Sequence, residues 1–447
     1  MAGKKSRPLQ LIVCDDELDP SQALDLLVTF AARRGPLSFV SPSGSVGGQI
    51  TVSADQTEVE YSFKKGDGSR CFIYGDWWKS AGPEEAARIG IDAATLERRF
   101  FFVHEAARRD FIDGLVMPFD DALRDRWKSP IAKAHLLTIE QAVALMGLYL
   151  RACGERMIEI EPPGTGIMVS EERMYLLGAL AILPQYELLH EAATNAWSRS
   201  GDPTLAGLTD AVAVRLGRAL KARDYLQVRR RAINIREIWS DVLYFFESLL
   251  VCLQGALDAA ARLVHALFEL SGSRRRANWG RNDWWSELEA SSAPAEEFDR
   301  ACLDDLDVLV GDLRNSIHGE VLNGELRQQV RPGEKPVLMG YSQLAVALDG
   351  ELATSVAAAA ERRGGLARWA VRREAFPEGV ALIDPWRYSE TAIAITAEAL
   401  SSVIGALVSS LFSDITVNSK AQELWLGKRT QWRNAKLLFG LEQMPSP

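Results

Sequence analysis

The apolar positions of this chain change their period along its length. Between residues 9 and 80 they come in short runs, at 9–14, 49–53, 59–63 and 70–74, which cluster or alternate β-forming residues between turns such as Gly66-Asp67-Gly68. These runs predict strands. Asp19-Pro20, followed by Ala23, Leu24, Leu27 and Phe30, predicts an amphipathic helix among them. From about Pro83 onward the spacing becomes three-and-four, and residues 95–115, 138–153, 170–183 and 186–197 read as helices.

The strongest helical patterns lie further on. Over 237–270 one row holds Ile238, Val242, Phe245, Leu249, Cys252 and Ala256, and a second holds Phe246, Leu250, Leu253 and Leu257. A helix apolar over more than half its circumference belongs in the middle of a bundle. Residues 386–412 form a final helix with Ile393, Leu400, Val403, Leu407 and Leu411 on one face, and 320–350 reads as turns and short strands. Two alanine- and arginine-rich helical runs fill the interval up to Glu374. Residues 299–318 carry Leu303, Leu306, Val310, Leu313 and Ile317 on one face and Asp304, Asp307, Gly311, Arg314 and His318 in the adjacent row, about 100° round the helix. Gly319 is placed to end that helix. The fold class expected is mostly α: a small α+β N-terminal module over 1–82, a helical middle region over 83–235, a C-terminal helical bundle over 236–412 and a tail over 413–447.

Composition narrows the function classes. The chain has 447 residues, 47% hydrophobic and 25% charged, which is ordinary for a folded protein, and its length favours more than one domain. A net charge of −9 means that any nucleic-acid contact has to come from a local basic patch. Five cysteines without a C-x-x-C pair offer neither a structural zinc site nor a disulfide framework, so no metal and no cofactor is expected. With no signal-peptide pattern at the N-terminus, the expected location is cytoplasmic. The apolar run at 392–412 is broken by Glu398, so it reads as a buried helix rather than a membrane span, and no membrane partner is expected. Pro162-Pro163-Gly164-Thr165-Gly166 lacks the lysine of a phosphate loop. His104-Glu105 and His190-Glu191 lack the second histidine of a zinc helix.

Two stretches concentrate arginine. Residues 215–236 hold Arg215, Arg218, Lys221, Arg223, Arg229, Arg230, Arg231 and Arg236 against Asp224, eight cations less one anion, or +7. Such a block is either a solvated or acid-docked helix face or a phosphate-backbone contact; Arg229, Arg230, Arg231 and Arg236 are the nucleic-acid-binding candidates. Residues 274–285 interleave Arg274, Arg275, Arg276 and Arg281 with Trp279, Trp284 and Trp285. Indoles can stack bases, but packing between helices is the commoner use and the one expected here.

Arg314-Asn315-Ser316-Ile317-His318 is the one stretch whose spacing has a chemical reading. Cleaving RNA without a metal needs a proton carrier near neutral pKa, which histidine supplies. It also needs positive charge on a crowded phosphorane-like transition state, which the planar arginine fork supplies. The stretch resembles the arginine–histidine motif of the HEPN superfamily, small helical bundles found in prokaryotic toxins, CRISPR-associated ribonucleases and anti-phage proteins. The resemblance covers roughly residues 236–412 and makes the C-terminal bundle HEPN-like. It implies a metal-independent RNA endonuclease with Arg314, Asn315 and His318 as the catalytic set, RNA as partner, a homodimer with the site formed across it, and a toxin or anti-phage setting. The spacer between Arg314 and His318 is shorter than the family's usual one. The competing expectation is a catalytically inert HEPN-like bundle that binds or dimerises, with Arg314 in a salt bridge to Asp304 or Asp307 and His318 capping carbonyls.

Overall fold

A computed structural model of the chain describes residues 9–13, 37–40, 48–52, 58–63, 68–72, 87, 114–116, 135–154, 156–160, 165–229, 235–291, 293–319, 323–328, 342–373, 379–412 and 434–441. The expected helix after Asp19 and most of the tail at 413–447 lie outside these residues. The described part is mostly helical. It divides into two compact units, 1–155 with 161–165 and 437–442, and 156–160 with 166–436 and 443–447.

The first unit holds two small sheets. Strands β1 (Leu9–Val13), β2 (Leu37–Val40), β6 (Gly114–Val116) and β7 (His135–Leu137) form a parallel sheet in the order β2-β1-β6-β7. Strands β3 (Gly48–Val52), β4 (Glu58–Phe63) and β5 (Gly68–Phe72) form an antiparallel meander. The helix expected over 95–115 is corrected at its end, where 114–116 pairs with β1 as a strand. Three residues are too few to show an alternation of their own.

Strands β6 and β7 join β1 in this unit. Helix α1 (Ile139–Ala152) packs on β1, β6 and β7, and Thr138 and Gln141 close a reciprocal capping box at its start. Gly147 lets the carbonyl of Leu438 approach where a side chain would collide, and the Arg151 guanidinium donates to that carbonyl at 2.7 Å.

In the second unit strands β8 (Met157–Ile160) and β9 (Thr165–Met168) form a two-stranded ribbon. Helices α2 (Glu171–Ala181), α3 (Tyr186–Ser200) and α4 (Thr204–Arg229) follow, and α4 lies along α5 (Ile235–Leu267), the longest helix among the described residues. Ser170 caps α2, and Gly201 ends α3 in the left-handed conformation. Of its neighbours, α4 packs most heavily on α5. As its two apolar rows require, α5 is buried on several sides: Val242, Phe246, Leu249, Leu250, Leu253, Ala256 and Leu257 are all within the core.

Beyond α5 the chain forms helix α6 (Asn282–Glu289), helix α7 (Arg300–Leu306), a π-helical turn (Asp307–Asp312) and helix α8 (Leu313–Gly319). Strands β10 (Asn323–Gln328), β11 (Ser342–Leu348), β12 (Val371–Arg373) and β13 (Ala381–Ile383) make an antiparallel sheet in the order β10-β11-β13-β12. Helix α9 (Gly350–Arg362) lies between β11 and β12. The second of the two expected alanine- and arginine-rich helices is absent. Gly364 and Gly365 take positive φ of 103° and 96°, and the chain returns as strand β12.

The last helix, α10 (Pro385–Phe412), packs against α3, α4 and α5. Its Trp386 indole donates to the carbonyl of Leu226 at 2.7 Å. A partly buried network of Tyr175, Arg223, Asp224, Gln227 and Glu390 ties α2, α4 and α10 together. Both α5, over Ile238–Leu267, and α10, over Pro385–Ser410, are long and apolar enough to cross a membrane; half or more of each apolar window is buried in the protein, as in any bundle core.

Candidate functional site

Residues 299–318 fold nearly as their spacing predicts, with one insertion. Leu303, Leu306, Leu309, Val310 and Leu313 are buried against the bundle. The π-turn, which bonds residue i to i+5, interrupts the α-helical ladder between Asp307 and Asp312 and brings those two carboxylates into electrostatic contact. Tyr388 of α10, fully buried, donates its hydroxyl to the Leu309 carbonyl at 2.6 Å, so an oxygen of the irregular turn finds a partner.

The adjacent row, Asp304, Asp307, Gly311 and Arg314, meets polar groups from two other segments. From α5 come Gln254 and Asp258, one helical turn apart, with the Gln254 amide donating to Asp258 at 2.9 Å. From the loop before α6 comes Asn278, whose side chain bonds the Asp307 carboxylate and whose Oδ1 accepts from the Gly280 amide. Both approaches are close at a glycine. A Cβ on Gly280 would stand 2.0 Å from Asp307 Oδ2, and one on Gly311 would stand 2.9 Å from Gln254 Oε1 and 3.0 Å from Asp307 Oδ1.

Burial pushes the Asp307 carboxyl up to about 6, helped by the charges of Asp312, Asp258 and Asp304, while the Asn278 hydrogen bond pulls the other way. Asp304 and Asp312 are raised as well, each chiefly by burial.

The expected catalytic set sits at the end of this row. Arg314 is half-buried, and its Nη1 donates to Asn315 Oδ1 at 3.0 Å. Among the described residues Arg314 forms no ion pair. The salt bridge expected to Asp304 or Asp307 is not formed: Asp304 faces Arg300 at 3.7 Å, and Asp307 is held by Asn278. Asn315 is exposed, and the Ser316 hydroxyl donates to the Leu313 carbonyl. His318 stands one turn beyond Arg314 on α8, which runs through Gly319 rather than ending before it; the His318 side chain lies outside the described residues.

Much of the basic block is spent on internal contacts. Lys221 pairs with Glu171, buried Arg223 with Asp224 and Glu390, and Arg229 with Asp241 at 2.9 Å. Arg215 lies across Gly255 of α5, where a side chain would collide with its guanidinium, and Arg218 is exposed. The nucleic-acid-binding candidates Arg230, Arg231 and the side chain of Arg236 lie outside the described residues.

The loop tryptophans pack. Trp279, Trp284 and Trp285 are each at most 3% exposed and meet one another at centroid distances of 5.1–5.8 Å. The Trp279 indole donates to the Leu257 carbonyl at 2.8 Å. They present no stacking face, whereas Arg274, Arg275 and Arg276 in the one turn before them are exposed.

The sequence reading missed Gln254, Asp258 and Asn278. The i, i+4 spacing of Gln254 and Asp258 was the available signal, masked because α5 was read only for its apolar rows. No family model, no curated protein and no solved structure matches this chain.

Proposed function

We propose that this protein is a metal-independent RNA endonuclease of HEPN type, with Arg314, Asn315 and His318 as the catalytic set. The observation that carries the reading is the state of Arg314. Among the described residues its guanidinium is held by Asn315 rather than by an acid, one turn from a histidine near a helix end, on an element packed against the central bundle helix. A guanidinium not neutralised by a carboxylate keeps its charge for a phosphate. In this reading Arg314 stabilises the dianionic phosphorane, Asn315 fixes the guanidinium plane, and His318 moves the proton of the attacking 2′-hydroxyl or the leaving oxygen. A homodimer would set two such pairs across one cleft, and the toxin or anti-phage setting follows from the same resemblance.

The second reading is an inert HEPN-like bundle that binds or dimerises. It is favoured by the four carboxylates of Asp258, Asp304, Asp307 and Asp312 that cluster around Asp307, a field that repels RNA, and by the short spacer. Purified protein assayed on RNA in excess chelator separates the two. The ribonuclease reading expects cleavage that His318→Ala reduces at least about 100-fold with the fold intact, in line with the worth of a general acid–base group. Cleavage abolished by chelator, or unchanged in the variant, favours the inert bundle.

A further inference from the structure

In the second unit a cavity of about 780 Å³ opens between α2, α4 and the first turn of α3. Two helix faces wall it, each with three-and-four spacing: Arg173, Leu176, Leu177 and Leu180 on α2, and Val214, Gly217, Arg218 and Lys221 on α4. The two helices run antiparallel here. Lys221 bonds Glu171 at the start of α2, and the Tyr175 carbonyl, one turn on, lies 3.0 Å from where a Gly217 Cβ would stand. That order sets Arg173 level with Arg218 at one end of the cavity. Leu177 and Leu180 run beside Val214 toward the other end, where Glu187 of α3 joins the wall. The charges are unevenly spent. Glu171 is shared between Lys221 and Arg156, and Glu172 is bonded back to Ser170 and its own helix start. Arg173 and Arg218 are exposed and, among the described residues, form no ion pair. At the apolar end the three leucines are half-buried and Val214 is 39% exposed.

We propose that this cavity binds a small amphipathic carboxylate, its head between the guanidiniums of Arg173 and Arg218 and its apolar body along Leu177, Leu180 and Val214. The volume falls within the range of about 300–1,000 Å³ that encloses small organic ligands. Guanidinium forks match the planar geometry of a carboxylate, and the leucine and valine wall gains only from an apolar body. The acids Glu171 and Glu187 in the lining repel a polyanion, which limits the ligand to a single negative head. The site shares no residue with the catalytic set, so it stands or falls apart from the ribonuclease reading.

The test titrates the full chain separately with sodium octanoate, below its micellar range, and sodium 1-naphthoate, an apolar chain and an apolar ring on the same head. Calorimetric heat and unfolding temperature are read, with sodium acetate (the head alone) and octylammonium chloride (the chain with the opposite charge) as controls. At least one of the two probes is expected to bind saturably, with a Kd of roughly 10⁻⁴–10⁻³ M, and to raise the unfolding temperature, while neither control does so. Arg173→Gln with Arg218→Gln removes both charges at exposed positions and is expected to weaken binding at least about 5-fold. Val214→Trp, at an exposed position, fills the apolar end and is expected to weaken it by a similar factor of about 5. Circular dichroism and unfolding without ligand check that each variant is folded. Binding of neither probe, equal binding of octylammonium, or undiminished binding in both variants overturns the proposal. So does self-association that Val214→Trp abolishes in a protein binding neither probe, which would make the cavity an interface between two copies of the chain.

Discussion

At the scale of single residues, Asp307 is the most perturbed carboxylate that the site presents. Folded, it holds its proton to about pH 6, whereas an unfolded aspartate releases it near about 3.9. The folded state therefore binds more protons between those values. The contribution to stability is full below pH ~4 and is lost as pH rises through ~6. Asp304 and Asp312, both raised, act in the same direction. In chelator, chemical denaturation of the wild-type protein across pH 4 to 7 is expected to show declining stability, and Asp307→Asn to flatten that decline; a parallel decline in the variant would assign it elsewhere. Cys302 offers a second residue-scale check. Buried at 7% exposure, its thiol is pushed up to about 11 by desolvation, so under native conditions a thiol reagent at pH 8 should modify exposed Cys153 well before Cys302. Comparable rates would mean that α7 opens readily. Little of this was legible from sequence: Asp307 was visible as a member of a polar row, but its environment comes from Asn278 and Asp258, which are remote in sequence.

At the scale of elements, the π-turn and the tryptophan loop hold the site in place. Removing the Tyr388 hydroxyl with Tyr388→Phe leaves the ring packed but strips the Leu309 carbonyl of its buried partner, which should cost about 1–3 kcal/mol in denaturant unfolding. No change in stability would mean that the turn satisfies that oxygen by itself. Trp279→Ala should cost about 3–5 kcal/mol, because it opens a cavity among three buried indoles and drops a hydrogen bond to α5. The long helices were legible because their apolar rows persist over many turns. The expected 237–270 and 386–412 were found as Ile235–Leu267 and Pro385–Phe412, and the capping Thr138 and Ser170 marked two further starts. The π-turn was not legible: an i+5 register leaves the three-and-four apolar spacing of Leu303, Leu306, Val310 and Leu313 intact. Strands Gly114–Val116 and Val371–Arg373 escaped because three residues carry no period and their pairing partners are distant in sequence.

At the scale of the whole molecule, a net charge of −9 sets the terms for an RNA partner. Lys221, Arg223 and Arg229 are paired among the described residues, and Arg230 and Arg231 remain as candidates for the proposed phosphate contact. Neutralising Arg230 and Arg231 together should flatten the salt dependence of RNA affinity, by roughly 0.7 log–log units for each phosphate that an arginine no longer neutralises. Unchanged affinity and slope would move the binding surface away from this block. A composite site also requires two copies, so sedimentation at micromolar concentration should show a dimer, with or without RNA. The account's central claim rests on Arg314 and His318, and the most direct measurement of it is a single-turnover RNA cleavage assay in excess chelator, comparing the wild-type protein with folded Arg314→Ala and His318→Ala variants. The expected result is chelator-resistant cleavage by the wild type and a rate at least about 100-fold lower in each variant; cleavage that needs a metal, or that survives in both variants, would contradict it.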